Sequence, residues 1–123
     1  MRYWLLPLCL VFSLCGAAEP PARETEMDIC KRIAPKYNAQ VEQRLFDGTR
    51  VDLLSDEYAI EVDWGHKWAE AIGQALYYAQ ITGKKPAVLL LISDMDKEVQ
   101  YVYRVQVVAA KYGITVFIEK VTR

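Results

Sequence analysis

The stretch IEVDWGHKWAEAIGQALYYAQ, residues 60–80, changes its period part-way. From Ile60 to Trp64, apolar and acidic residues alternate, as in a strand with two different faces. From His66 onward, Trp68, Ala71, Ile72, Ala75, Leu76 and Ala79 recur at helical spacing, and Gly83 follows as a C-terminal stop. The strand therefore puts Glu61 and Asp63 on one face, directly before a helix carrying Lys67, Gln74 and Tyr78 along one flank.

Working backward, Asp47-Gly48 separates QVEQRLF from TRVDLL, a strong hairpin signal. A second hairpin joins TRVDLL to YAIEVDW. With Asp56 and Glu57 as its turn, residues pair so that their numbers add to 113. Asp52 then faces Glu61, Arg50 faces Asp63 and Leu54 faces Ala59, all on one side of the sheet. Val51, Leu53, Ile60, Val62 and Trp64 form the apolar side.

Working forward, PAVLLLIS (86–93) reads as a central strand covered on both faces. KEVQYVYRVQVVAAKY is rich in β-branched residues, but Gly113 behind it favours a helix, and ITVFIEKV closes as a strand. Before the hairpins, Met27, Ile29, Cys30 and Ile33 suit a short helix stopped by Pro35. There is no repeat, linker or Gly-rich phosphate loop.

The first residues follow a different logic. Arg2, the apolar run YWLLPLCLVFSLC and the small residues GAA form a secretory signal pattern, with Ala18 as the last residue removed. The run is shorter than the roughly 20 residues of a membrane span. Lipidation at Cys15 is disfavoured by the bulky Leu14. The domain organisation expected is thus a signal peptide over 1–18 and one domain over 19–123, exported to the periplasm or beyond. Cys9 and Cys15 leave with the signal, so only Cys30 remains and no internal disulfide forms. Of 15 basic and 16 acidic residues, Arg2 alone is lost, leaving 14 against 16 and a net charge of −2. That is not the balance of a dedicated nucleic-acid binder. His66 is the only histidine, which excludes multi-histidine zinc sites.

Two acids opposed across strands destabilise a sheet unless something neutralises them. A Mg²⁺ ion, which takes one or two carboxylates together with water and phosphate oxygens, is one answer. A salt bridge from Arg50 to Asp63, with the other acids at the surface, is the other.

The order helix, strand, strand with Asp52, strand with Glu61, helix with Gln74 and Tyr78, then strand resembles the PD-(D/E)XK nuclease superfamily over residues 24–120. RVDLL, IEVDW and GQALYYA carry the likeness, the last being similar to the DNA-proximal helix of RecB-like and resolvase-like members. The resemblance implies a three-layer α/β/α fold with a mixed central sheet and a restriction-endonuclease-like αβββαβ core, followed by a helix and a strand. It implies Mg²⁺ (or Mn²⁺) held by Asp52 and Glu61, phosphodiester hydrolysis of DNA, and Gln74 with Tyr78 near the substrate. Glu24, Glu26 or Asp28 would supply a first-helix acid. Where the family carries a lysine two residues after the glutamate, this chain has Asp63. Three outcomes stay open. Lys67 takes over the electrostatic work, Asp63 becomes a third metal ligand, or the fold survives as an inactive module that binds protein or nucleic acid.

Exported material should begin at Glu19, as N-terminal sequencing or intact mass would show. Intact Met1 recovered from the soluble cytoplasm would end the export reading.

Overall fold

The computed structural model describes residues 22–122, so the expected signal segment and its cleavage point lie outside the described residues. Thr25 opens the first helix, α1 (Glu26–Ile33), with a capping box shared with Asp28. A 3₁₀ turn over Ala34–Tyr37, containing Pro35, ends it. The hairpin strands β1 (Gln40–Arg44) and β2 (Arg50–Leu54) flank the Asp47-Gly48 turn, where Gly48 has φ 86°. β1 stops at Arg44, short of the expected Phe46. Leu45 turns inward against Val51, Ala59 and Tyr78, whereas Phe46 is 88% exposed.

β3 (Tyr58–Trp64) returns beside β2 with Leu53 opposite Ile60 and Leu54 opposite Ala59, the register expected. A 3₁₀ turn over Gly65–Lys67 leads into α2 (Trp68–Thr82), which Gly83 ends in the left-handed conformation. β4 (Lys85–Ile92), α3 (Met95–Tyr112) and β5 (Thr115–Lys120) complete the chain. The sheet order is β1-β2-β3-β4-β5. The first three strands are antiparallel neighbours, and β4 runs parallel to both β3 and β5. Over the described residues the protein is thus α/β, with a five-stranded mixed sheet and three α-helices. Among the described residues no helix is long and apolar enough to cross a membrane.

β4 divides the core. Ala87, Leu89 and Leu91 pack with Ile29, Cys30 and Ile33 of α1 on one face. Val88, Leu90 and Ile92 pack with Ala71 and Ala75 of α2 and Val105 and Ala109 of α3 on the other. Ile60 and Val62 share the α1 face, so alternation turns Glu61 and Asp63 toward α2. Both faces of the sheet are covered, and these acids are 5% and 4% exposed rather than lying on an open surface.

Strand alternation fails once, at Asp52. Leu53 packs with the α1 layer, but Val51, two residues earlier, packs with Tyr78 of α2. A regular strand would put both on one face. Between them the Asp52 carboxylate accepts the Val62 N–H at 2.9 Å, in place of a backbone carbonyl. Opposite it on β1, Glu42 has the left-handed φ of 50°, uncommon for a residue other than glycine. The flip corrects two expectations. Val51 does not belong to the α1-side apolar face, and Arg50 does not reach Asp63. It pairs instead with Glu42 at 3.0 Å.

Gly65 fixes the passage from β3 to α2. A Cβ there would meet Ile92 Cδ1 at 2.8 Å, with Tyr101 of α3 at 3.4 Å. Gly65→Ala should therefore cost about 1–3 kcal/mol of unfolding free energy in urea titration. A wild-type midpoint would show that Ile92 moves aside freely.

Candidate functional site

The flip at Asp52 assembles a carboxyl cluster. Asp52 is partly buried, and its carboxyl lies within hydrogen-bonding reach of that of Glu61. Glu61 Oε2 is buried and accepts no hydrogen bond from a donor group. Burial pushes the Glu61 carboxyl far above its ordinary range, and the neighbouring Asp52 charge adds to the effect. Burial raises Asp52 too, while the Val62 N–H holds it down. Glu61 is therefore the partner that keeps the proton, donating to an Asp52 carboxylate already committed to Val62.

Asp63 belongs to the same wall of the site but has other company. Its Oδ1 accepts the Trp64 N–H at 2.8 Å and lies 3.6 Å from Lys67 Nζ. Burial raises its carboxyl, and Trp64 and Lys67 counter the rise. Lys67 stands at the start of α2, and its side chain is 47% exposed. The counter-charge expected from Arg50 thus comes from Lys67, four residues along the chain. His66 is exposed beside it.

Of the three acids in and just before α1, one is electrostatically coupled to the cluster. Glu24 binds Arg32 at 2.8 Å and Asp28 closes the capping box, leaving Glu26. Burial pushes the Glu26 carboxyl up to about 7, and the charges of Asp63 and Asp52 push in the same direction. The signal was present in the sequence. Glu26 lies four residues before Cys30 and seven before Ile33, on the inward stripe of α1. Beside it a concavity of 380 Å³ opens between Arg23, Glu24, Thr25, Glu26 and Trp64. Cys30, buried next to Asp52, has its thiol pushed up to about 12 by burial and is inert.

Gln74 is partly exposed on α2 and interacts with the Tyr78 hydroxyl. Tyr78 is 6% exposed and packs on Val51 and Ala59, so it offers no free ring face to a substrate. Its neighbour Tyr77 is the exposed ring, at 43%. The structure thus brings Asp52, Glu61, Asp63, Lys67 and Glu26 into one electrostatically coupled group.

Among the described residues no group of three or more His, Cys, Asp or Glu side chains is placed to hold a metal ion. Mg²⁺ takes only one or two protein carboxylates, and Asp52 and Glu61 supply oxygens of the right type for it, one of them buried. Comparison with protein-family models, curated proteins and solved structures gives no match.

The raised carboxyls fix the sign of the pH dependence. A folded-state acid that holds its proton above the ordinary value stabilises the protein at low pH and loses that contribution as pH rises. For Glu26 the loss runs from its ordinary 4.5 to about 7, and Glu61 extends it upward. Glu24, Asp28, Asp47, Glu57 and Asp94, all held below their ordinary values, act only at lower pH. Without divalent ions, urea denaturation should show lower stability at pH 8 than at pH 5. Glu61→Gln should flatten the difference and gain about 1–3 kcal/mol at pH 8. Equal stability at both values would place the cluster in water.

Proposed function

We propose that the chain is an exported nuclease-like protein that hydrolyses phosphodiester bonds of DNA with Mg²⁺, Mn²⁺ serving as a substitute. The observation that carries this reading is the Asp52–Glu61 carboxyl contact, with a buried Glu61 oxygen that no donor group reaches. The element order, with three antiparallel strands followed by a helix and a parallel strand, supports the restriction-endonuclease-like αβββαβ core expected from the sequence. Export rests on the pattern over residues 2–18.

Asp52 and Glu61 would hold the ion, Glu61 giving up its proton to do so. A bound ion of this type lowers the pKa of its water and clamps a phosphate oxygen. Lys67 supplies the positive charge that the family places on the strand. Asp63 is its anchor in this reading rather than a third ligand. Gln74 offers an amide to a phosphate oxygen from α2. Glu26, half-protonated near neutrality, can hold a proton at the rim for the leaving oxygen.

A second reading, an inactive nuclease-fold module binding protein or nucleic acid, has its own observation. Lys67 is bound to Asp63, and position 63 itself has the wrong charge for the family's lysine.

Metal titration separates the two. Mg²⁺ or Mn²⁺ at about 100 times its dissociation constant should stabilise the fold by about 2.7 kcal/mol. Asp52→Asn and Glu61→Gln should abolish that gain while stabilising the metal-free protein. Metal-dependent plasmid cleavage should disappear with Glu61→Gln and weaken with Lys67→Ala. Stabilisation without cleavage selects the inactive module. No metal response removes the metal site.

A further inference from the structure

The tip of the first hairpin exposes chemistry that the fold does not use. Phe46 is 88% exposed, the most exposed large apolar residue among those described, while the adjacent Leu45 is tucked against Val51. The tip is nevertheless well fixed. Leu45 N–H donates to Thr49 O at 2.8 Å, and Gly48 N–H to Leu45 O at 3.0 Å. Asp47 Oδ1 accepts from the Thr49 hydroxyl at 2.7 Å, and Asp47 Oδ2 accepts from the Tyr77 hydroxyl on α2. Phe46 is thus held outward by a braced turn.

At the base of the tip, Arg44 and Arg50 are direct cross-strand partners. Like charges so placed oppose each other. Glu42 offsets Arg50, but among the described residues Arg44 has no ion-pair partner. A polyanion reaching both would relieve this repulsion. Arg50 is two residues from Asp52, about 7 Å at the rise of an extended strand. Tyr77, the exposed ring that braces the tip, is one turn of α2 beyond Gln74. Ring and arginines lie together at one end of the β1–β2 hairpin, and Asp52 follows Arg50 along β2.

We propose that this tip binds single-stranded nucleic acid, with Arg44 and Arg50 on consecutive phosphates and Phe46 stacked on an unpaired base. The ring requires a single strand, because a base inside a duplex has both faces covered. The arginines supply the local positive charge that the net charge of the chain does not. The inference rests on the nuclease reading only for what the strand is delivered to, namely Asp52 and Glu61.

Fluorescence anisotropy with labelled dT12, rU12 and a 12-base-pair duplex, in EDTA and low salt, tests binding apart from any metal effect. Both single strands should bind more tightly than the duplex, and their ratio reports whether the sugar is read. Phe46→Ala should weaken dT12 binding about tenfold, the scale of one stacked base, without shifting the thermal midpoint. Phe46→Trp should retain binding and show fluorescence quenching by the oligonucleotide. Arg44→Gln should lower affinity and reduce the salt slope by about 1. Wild-type dT12 affinity in Phe46→Ala, no binding, or a duplex preference would overturn the proposal. So would sedimentation showing that Phe46→Ala instead dissolves a dimer. Oligonucleotide binding with no metal response would sink the nuclease reading alone, and a metal response without oligonucleotide binding would sink only this one.

Discussion

Two carboxyl groups on a central strand, each almost fully withdrawn from water, constrain the rest of this molecule. β3 is flanked by β2 and β4 and roofed by α1 and α2, which leaves Glu61 and Asp63 little contact with solvent. A buried, unpaired carboxylate costs far more than one hydrogen bond returns, so each acid must be protonated or matched with positive charge. The two acids solve the problem differently. Asp63, nearer the strand end, is met by Lys67 as the chain turns into α2. Glu61 is one pleat deeper, outside ion-pair distance of that lysine, and keeps a proton that it shares with Asp52.

That sharing reshapes the sheet. For Asp52 to meet both Glu61 and the Val62 N–H, its side chain must turn toward β3, and β2 gives up a regular ladder beyond Leu53. The left-handed Glu42 on β1 accompanies the change, so the distortion crosses two strands. Structural cost is thereby concentrated where the carboxyls meet. Backbone departures held in place by their surroundings are common at functional positions, and here the departure is what gives the acid pair its geometry.

The same distortion marks the boundary of what the sequence could disclose. Turns and helix ends were legible because their chemistry is local. Asp47-Gly48 made a hairpin, Asp56-Glu57 set the register of the next, and Gly83 and Gly113 ended α2 and α3 in left-handed caps. That register brought Asp52 and Glu61 to adjacent strands, but not the turned side chain through which they meet. Arg50 was misplaced because counting assumes unbroken alternation, and an aspartate that substitutes for a ladder carbonyl has no signature in residue order. Glu26 was recoverable in principle from the phase of Ile29, Cys30 and Ile33, but only with Glu24 and Asp28 already assigned to Arg32 and Thr25. Tyr78, expected near the substrate, is the buried ring and Tyr77 the exposed one, because one residue is a 100° rotation on a helix, enough to move a ring from the surface to the core.

The charge balance of the cluster ties its possible chemistry to protons. Asp52, Glu61, Asp63, Glu26 and Glu70 influence one another, with Lys67 as the cation among them. Near neutrality such a group lowers its repulsion by holding protons on the groups least able to ionise, first Glu61 and then Glu26. A divalent cation would compete for the same negative charge, so occupancy would release protons and strengthen as pH rises. Moving the lysine from the strand to the start of α2 changes this competition. A lysine beside Glu61 would ionise it outright, whereas Lys67, committed to Asp63, leaves Glu61 protonated until something more strongly positive arrives. In the nuclease reading, the substitution at position 63 thus makes ionisation of the acid pair depend on the incoming cation rather than on a resident one.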